Sequence, residues 1–193
     1  MDFLHQNFCM SSPDLKKINK DWTLFLDRDG VINYEKEMDY ILNWDEFKFY
    51  DQVLEAIAIC AKKFGLIVVV TNQKGVGKKL MSEDDLLKIH QELKNEVLKA
   101  GGRIDQIYFC SSIEDKHYSR KPNPGMAFEA KNEFPGIEFN KSIMVGNKPS
   151  DMQFGRNAGM YTVYLTTTHP NQDFPHPDID LVFPTLMDFA KAL

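Results

Sequence analysis

Leu66-Ile67-Val68-Val69-Val70 is an unbroken apolar run in which every residue after the leucine is β-branched. With no polar alternation, a strand built from it must be covered on both faces, the condition of a strand inside a parallel sheet. Thr23-Leu24-Phe25-Leu26 has the same character. Between the two runs, Val53, Leu54, Ile57, Ala61 and Phe64 recur at helical spacing over residues 51–64, with Gly65 as a stop signal. Strand, helix and strand of these lengths make a right-handed crossover between parallel strands.

The pattern continues. Ser82-Glu83-Asp84-Asp85 reads as a capped helix start, Leu86, Ile89, Leu93 and Val97 as its buried stripe, and Gly101-Gly102 as its stop. Strands are expected over 104–109, 142–145 and 161–165, and helices over 127–134, 150–158 (closed by Gly159) and 185–193, with a loop-rich tail over 166–184. The expected fold class is α/β: a Rossmann-like three-layer α/β/α sandwich with a central parallel sheet. A chain of 193 residues holds one such domain, assigned to 23–193 after a leader of residues 1–22.

Open α/β sheets bind ligands beyond the carboxyl ends of their strands, and there the chain concentrates its polar groups. Asp27 and Asp29 follow the first strand, start from the same face and precede a bend at Gly30. Two such carboxylates raise each other's proton affinity, so a cation or a proton must offset them. Thr71 and Asn72 follow the second strand and can donate to phosphoryl oxygens, while Gly75 and Gly77 admit backbone N–H groups. Gly75-Val76-Gly77-Lys78-Lys79-Leu80 is not a P-loop, since it lacks the first glycine and the Ser or Thr after the lysine. Arg120-Lys121 precedes the turn Pro122-Asn123-Pro124-Gly125, with Asn123 as the expected cap and Pro124 as the first helical residue. The pair reads as a phosphate clamp. Asn147 and Asp151 follow the fourth strand. His90 reads as a core or surface histidine, and His169 and His176 lack metal-ligand spacing.

A net charge of -5 and a pI near 5.5 argue against a nucleic-acid partner but leave room for a small anionic one. Neither a signal peptide nor a membrane-spanning run is read, and Cys9, Cys60 and Cys110 are too few and scattered for a disulfide framework. A cytoplasmic monomer is expected.

Phe25-Leu26-Asp27-Arg28-Asp29-Gly30-Val31-Ile32-Asn33, Val69-Val70-Thr71-Asn72-Gln73, Arg120-Lys121-Pro122-Asn123-Pro124-Gly125-Met126 and Met144-Val145-Gly146 resemble the motifs of the haloacid dehalogenase superfamily, in particular its heptose-bisphosphate and histidinol-phosphate phosphatase branch. The resemblance runs from about Thr23 to Leu165. It implies that Asp27 is the nucleophile, giving an aspartyl-phosphate, and that Asp29 is the general acid and then the base. It implies that Thr71, Asn72, Gln73, Arg120 and Lys148 hold phosphate or the rest of the substrate, and that Lys121 neutralises charge. It implies a magnesium ion on Asp27, Asp29 and the residue at 147.

Two departures stand out. Asn147 replaces the aspartate that the family uses as a metal ligand, which predicts a weaker magnesium site, with Asp151 as partial compensation. The 110–120 segment keeps only Cys110 and His117 of a zinc clip, so no zinc is expected. The connections are too short for a large cap domain. The expected activity is magnesium-dependent hydrolysis of a small phosphorylated metabolite, D-glycero-D-manno-heptose 1,7-bisphosphate losing its 7-phosphate. The alternatives are histidinol phosphate or broader sugar phosphates as substrates, or a catalytically impaired phosphate-binding relative.

Overall fold

The computed structural model describes residues 12–37 and 39–193. Its sheet is built on β1 (Thr23–Leu26), which pairs in parallel with β2 (Leu66–Asn72) on one side and β4 (Ser142–Gly146) on the other. β3 (Gln106–Cys110) adds beyond β2, while β5 (Tyr161–Leu165) and β6 (Leu181–Phe183) add beyond β4. The order is β3-β2-β1-β4-β5-β6, all parallel. Chain direction across the sheet reverses at β1 and β4, which makes the groove beyond their carboxyl ends the topological switch point.

Side chains alternate across each strand, and the apolar runs therefore feed two cores. Leu24, Leu26, Ile67 and Val69 pack on one face with Ile57 of α1 (Val53–Lys63), Leu93 of α3 (Glu83–Lys99) and Phe189 of α6 (Leu186–Ala192). Phe25, Val68, Val70 and Met144 pack on the other with Met126 of α4 (Gly125–Glu133) and Phe154 of α5 (Pro149–Ala158). Each such Leu or Phe contributes about 1.5–3 kcal/mol. This is the expected three-layer sandwich.

Ser82 and Asp85 form a reciprocal capping box at the start of α3, and Gly159 ends α5 at a φ of 86°. Three details differ from the sequence reading. α4 starts two residues early, and Pro124, not Asn123, occupies its cap position; the Asn123 amide instead donates to the His117 carbonyl at 2.9 Å. β3 is shifted toward Cys110 because it is registered against Val68–Asn72, which overrides its local pattern. The tail holds β6, a short edge strand whose signal is too brief to read. Of the leader, residues 1–11 lie outside the described residues; Ile18 is buried in the core and Trp22 stacks on Tyr161 at 5.8 Å.

Only loops and a 3-10 turn at Trp44–Glu46 separate β1 from α1, and only a loop separates β3 from α4. Among the described residues nothing forms a large cap, and the strand ends open to solvent. A one-turn helix α2 (Lys74–Gly77) follows β2. Gly77 serves a close approach between loops, since a Cβ there would overlap the Ser111 carbonyl.

Candidate active site

The strand ends bring Asp27, Asp29, Thr71, Asn72, Arg120, Lys121, Lys148 and Asp151 around one cavity of about 220 Å³. An adjoining cavity of about 430 Å³ is lined by Glu35, Lys36, Tyr40, Gln73, Lys78 and Lys148, among others.

Asp27 is the first residue past β1. Its main-chain N–H still bonds the Val145 carbonyl at 3.0 Å, so its position is set by the sheet. Asp27 Oδ1 accepts the Arg28 N–H at 2.7 Å and lies 2.8 Å from Lys121 Nζ; Oδ2 accepts no hydrogen bond among the described residues. Burial and the nearby Asp151 carboxylate push its carboxyl up to about 7, against the pull of Lys121.

Lys121 is almost fully buried, with Nζ also 2.7 Å from Asp151 Oδ1. Burial works against its charge, but Asp151 and Asp27 together hold its pKa above the usual lysine value. Asp151 is itself committed: its Oδ2 accepts the N–H groups of Asn147 at 3.1 Å and Lys148 at 3.0 Å. Its carboxylate therefore anchors the lysine and the start of α5. Gly146 permits this, since a Cβ there would overlap the Asp151 carboxylate.

Asp29 does not share the environment of Asp27. Its oxygens accept from Arg28 Nη2 (3.0 Å to each), Asn33 Nδ2 (2.9 Å) and Gln73 Nε2 (2.9 Å). Burial raises its pKa, but the guanidinium and the amide donors outweigh it and hold the carboxyl below its usual range. The pKa values of the two carboxyls are thus driven apart: Asp29 adds to the rise at Asp27, as read from the sequence, but the rise expected at Asp29 is outweighed by its donors. Behind Asp29, Arg28 is fully buried, with Nη1 3.2 Å from His90 Nε2 and its guanidinium 5.8 Å from the Phe47 ring.

Two residues read as phosphate holders also hold parts of the protein. Gln73 directs Nε2 to both Asp29 and Thr71 Oγ1 (2.9 Å each), which leaves it no N–H for a phosphate. Asn72 brackets the Lys121 main chain, accepting its N–H and donating to its carbonyl at 3.1 Å each, so one amide hydrogen remains. Thr71 Oγ1 keeps its own hydrogen to donate. Arg120 and Lys148 line the cavity, each ion-paired, to Asp115 and Glu35 respectively.

Asn147 is fully buried. Its Nδ2 donates to Thr168 Oγ1 at 2.8 Å, and its Oδ1 has no partner. The amide packs against Gly30, where any Cβ would overlap it. A buried oxygen without a donor needs an explanation; Asn147 lines neither of the two cavities, and its link to the charged cluster is its main-chain N–H on Asp151 Oδ2. Among the described residues no three His, Cys, Asp or Glu side chains converge as a metal cluster; what fits a hard divalent cation is the pair of oxygens without a donor, Asn147 Oδ1 and Asp27 Oδ2.

The family model described as polynucleotide kinase 3 phosphatase matches residues 21–190. The chain belongs to this family, within the haloacid dehalogenase superfamily. Its relatives include the D-glycero-alpha-D-manno-heptose-1,7-bisphosphate 7-phosphatase of Burkholderia mallei, 39% identical over 76% of this chain and 80% of that one. The D-glycero-beta-D-manno-heptose-1,7-bisphosphate 7-phosphatase of Photorhabdus laumondii is 32% identical over 88% of this chain and 94% of its own. Among solved structures, the D,D-heptose 1,7-bisphosphate phosphatase of B. bronchiseptica, complexed with magnesium and phosphate, superposes with a TM-score of 0.78 at 26% identity, covering 88% of this chain and 96% of that one. This family member is a phosphoric monoester hydrolase.

The sequence did not reveal Arg28, His90 and Asn33 as the setting of Asp29. Asn33 alone left a trace, as the last residue of the first motif.

Proposed function

We propose that the chain removes the 7-phosphate of D-glycero-D-manno-heptose 1,7-bisphosphate through an aspartyl-phosphate on Asp27. The observation that carries this reading is the pairing of Lys121 Nζ with one Asp27 oxygen at 2.8 Å, which leaves the other unengaged inside the cavity at the switch point of the sheet. The free oxygen attacks phosphorus as the bond to the sugar oxygen breaks. Lys121 screens the charge that gathers on the phosphoryl oxygens, with the Thr71 hydroxyl and the remaining Asn72 N–H as further donors. Asp29 gives its proton to the departing alcohol and later takes one from the water that hydrolyses the acyl-phosphate. Its surroundings hold the carboxyl below its usual range, so the proton is given from the minor protonated form, and the carboxylate that donation leaves is the form the second step needs.

A magnesium ion would be held by Asp27, the main-chain carbonyl of Asp29 and Asn147 Oδ1, and when bound would supply positive charge to the phosphate oxygens. The 110–120 loop works without zinc in this reading: Cys110 Sγ and His117 Nδ1 lie 3.5 Å apart, and the same nitrogen accepts the Ser119 N–H at 3.2 Å. Elemental analysis showing stoichiometric zinc would remove that part. Among the described residues no helix is long and apolar enough to cross a membrane; a cytoplasmic monomer completes the proposal, with light scattering as its check.

The deciding experiment is turnover with magnesium against both anomers of the heptose bisphosphate, histidinol phosphate, common sugar monophosphates and a 3′-phosphorylated oligonucleotide. Preference for the heptose ester supports the assignment. Preference for the oligonucleotide, disfavoured by the net charge of -5, would overturn it, and binding without turnover of any ester would mark an impaired relative.

A further inference from the structure

His90 belongs to α3, a helix otherwise committed to the core through Leu86, Ile89, Leu93 and Val97. It is buried, its ring stands edge-on to Phe109 at 5.8 Å, and Nε2 meets Arg28 Nη1 at 3.2 Å. A guanidinium carries donors only, so Nε2 accepts and the ring proton sits on Nδ1. Burial and the neighbouring cation keep the ring neutral, the form that this contact requires.

Arg28 joins that ring to both catalytic carboxylates. Its main-chain N–H donates to Asp27 Oδ1 at 2.7 Å, and its carbonyl accepts from Val31, Ile32 and Asn33, so the turn after β1 holds its backbone. Its side chain returns to Asp29, where Nη2 donates to both oxygens at 3.0 Å. Asn33 and Gln73 reach one oxygen of that carboxylate each, so only the arginine spans the two. The Arg28 side chain is 1% exposed and its Nε has no partner. Among the described residues, His90 is the one polar partner of this guanidinium besides Asp29. The histidine therefore sets the orientation of the fork, and the fork sets that of the carboxylate. Proton transfer is sensitive to such placement, because the acid must stand within hydrogen-bond reach of the departing oxygen.

We propose that His90 is a positioning residue for proton transfer by Asp29, acting from α3 by accepting a hydrogen bond from Arg28. This rests on the phosphatase reading, in which Asp29 protonates the departing alcohol, and adds to it a residue that touches neither substrate nor carboxylate.

The test compares two esters in single turnovers, with enzyme in excess and magnesium present. A simple alkyl phosphate releases an alkoxide that needs a proton, whereas p-nitrophenyl phosphate releases a phenolate that leaves without one. His90→Leu should slow the alkyl ester about thirtyfold and p-nitrophenyl phosphate by no more than about threefold. His90→Gln, which returns an acceptor to Arg28, should recover most of the alkyl rate. In an Arg28→Met background, His90→Leu should add nothing further, since the effect runs through the guanidinium. Equal slowing of both esters by His90→Leu, or full additivity of the two substitutions, would overturn the proposal. Nitrogen NMR of the parent gives a readout without substrate: the ring proton is expected on Nδ1, and a proton on Nε2 would overturn the proposal too. Asp29→Asn separates this failure from that of the underlying reading. If Asp29→Asn discriminates between the esters and His90→Leu does not, the proposal fails alone. If Asp29→Asn slows both alike, the general-acid reading falls and takes the proposal with it.

Discussion

The side-chain amide of Asn72 grips the main chain of Lys121 at both polar atoms, accepting its N–H and donating to its carbonyl at 3.1 Å each. The end of β2 thereby fixes the backbone from which the lysine reaches Asp27 and Asp151. Asn72→Ala should cost about a hundredfold in kcat, as expected when a reacting group is displaced by about 1 Å. Asn72→Asp, which keeps the acceptor but loses the donor, should recover part of it. Steady-state kinetics on both variants is the check, and an unaltered kcat in Asn72→Ala would show that Lys121 is positioned without it.

Asp27→Asn should lower turnover by about three orders of magnitude or more, since removing a nucleophile that acts with its partners as one unit has effects of that size. Lys121 keeps Asp151 as a partner, so the fold should survive. Circular dichroism beside the rate measurement separates the two effects; residual hydrolysis near the parent rate would exclude covalent catalysis at this residue.

Asn147→Asp places a negative charge where the buried amide oxygen now stands without a partner. The concentration of magnesium that half-saturates activity should fall by about tenfold, as should the dissociation constant from calorimetry, in line with affinity set by ligand charge. The Thr168 hydroxyl can turn to donate to the new carboxylate, so the position should tolerate the change. Unchanged magnesium binding would remove residue 147 from the metal site.

His90 is pushed from 6.5 down to about 3, chiefly by burial and then by the Arg28 guanidinium. It is therefore neutral when folded, while the unfolded chain takes up a proton below about 6.5. Its contribution is complete above that pH and is lost progressively as pH falls toward 3. His90→Gln should flatten the acid limb of stability against pH relative to the parent. Denaturant melts across that range test it: parallel curves would mean that His90 titrates freely.

The layers and the chemical edge were legible from local pattern. The runs at 23–26 and 66–70 lack alternation because both faces of β1 and β2 are covered: Leu24 and Ile67 pack under α1, α3 and α6, and Phe25 and Val68 under α4 and α5. β6 was not legible: three half-buried residues at a sheet edge carry no periodic signal. The cap of α4 was misplaced because the Asn123 amide finds the His117 carbonyl, a contact created by the path of the loop.

By itself the sequence determined which side of the sheet carries the chemistry and which kinds of group gather there, because burial imposes its period residue by residue along the chain. Only the tertiary structure decided the pairings. Asp151 anchors Lys121, Gln73 holds Asp29, and Arg28 meets His90 across 62 positions, because each contact depends on how far apart the strand ends stand once their register is set.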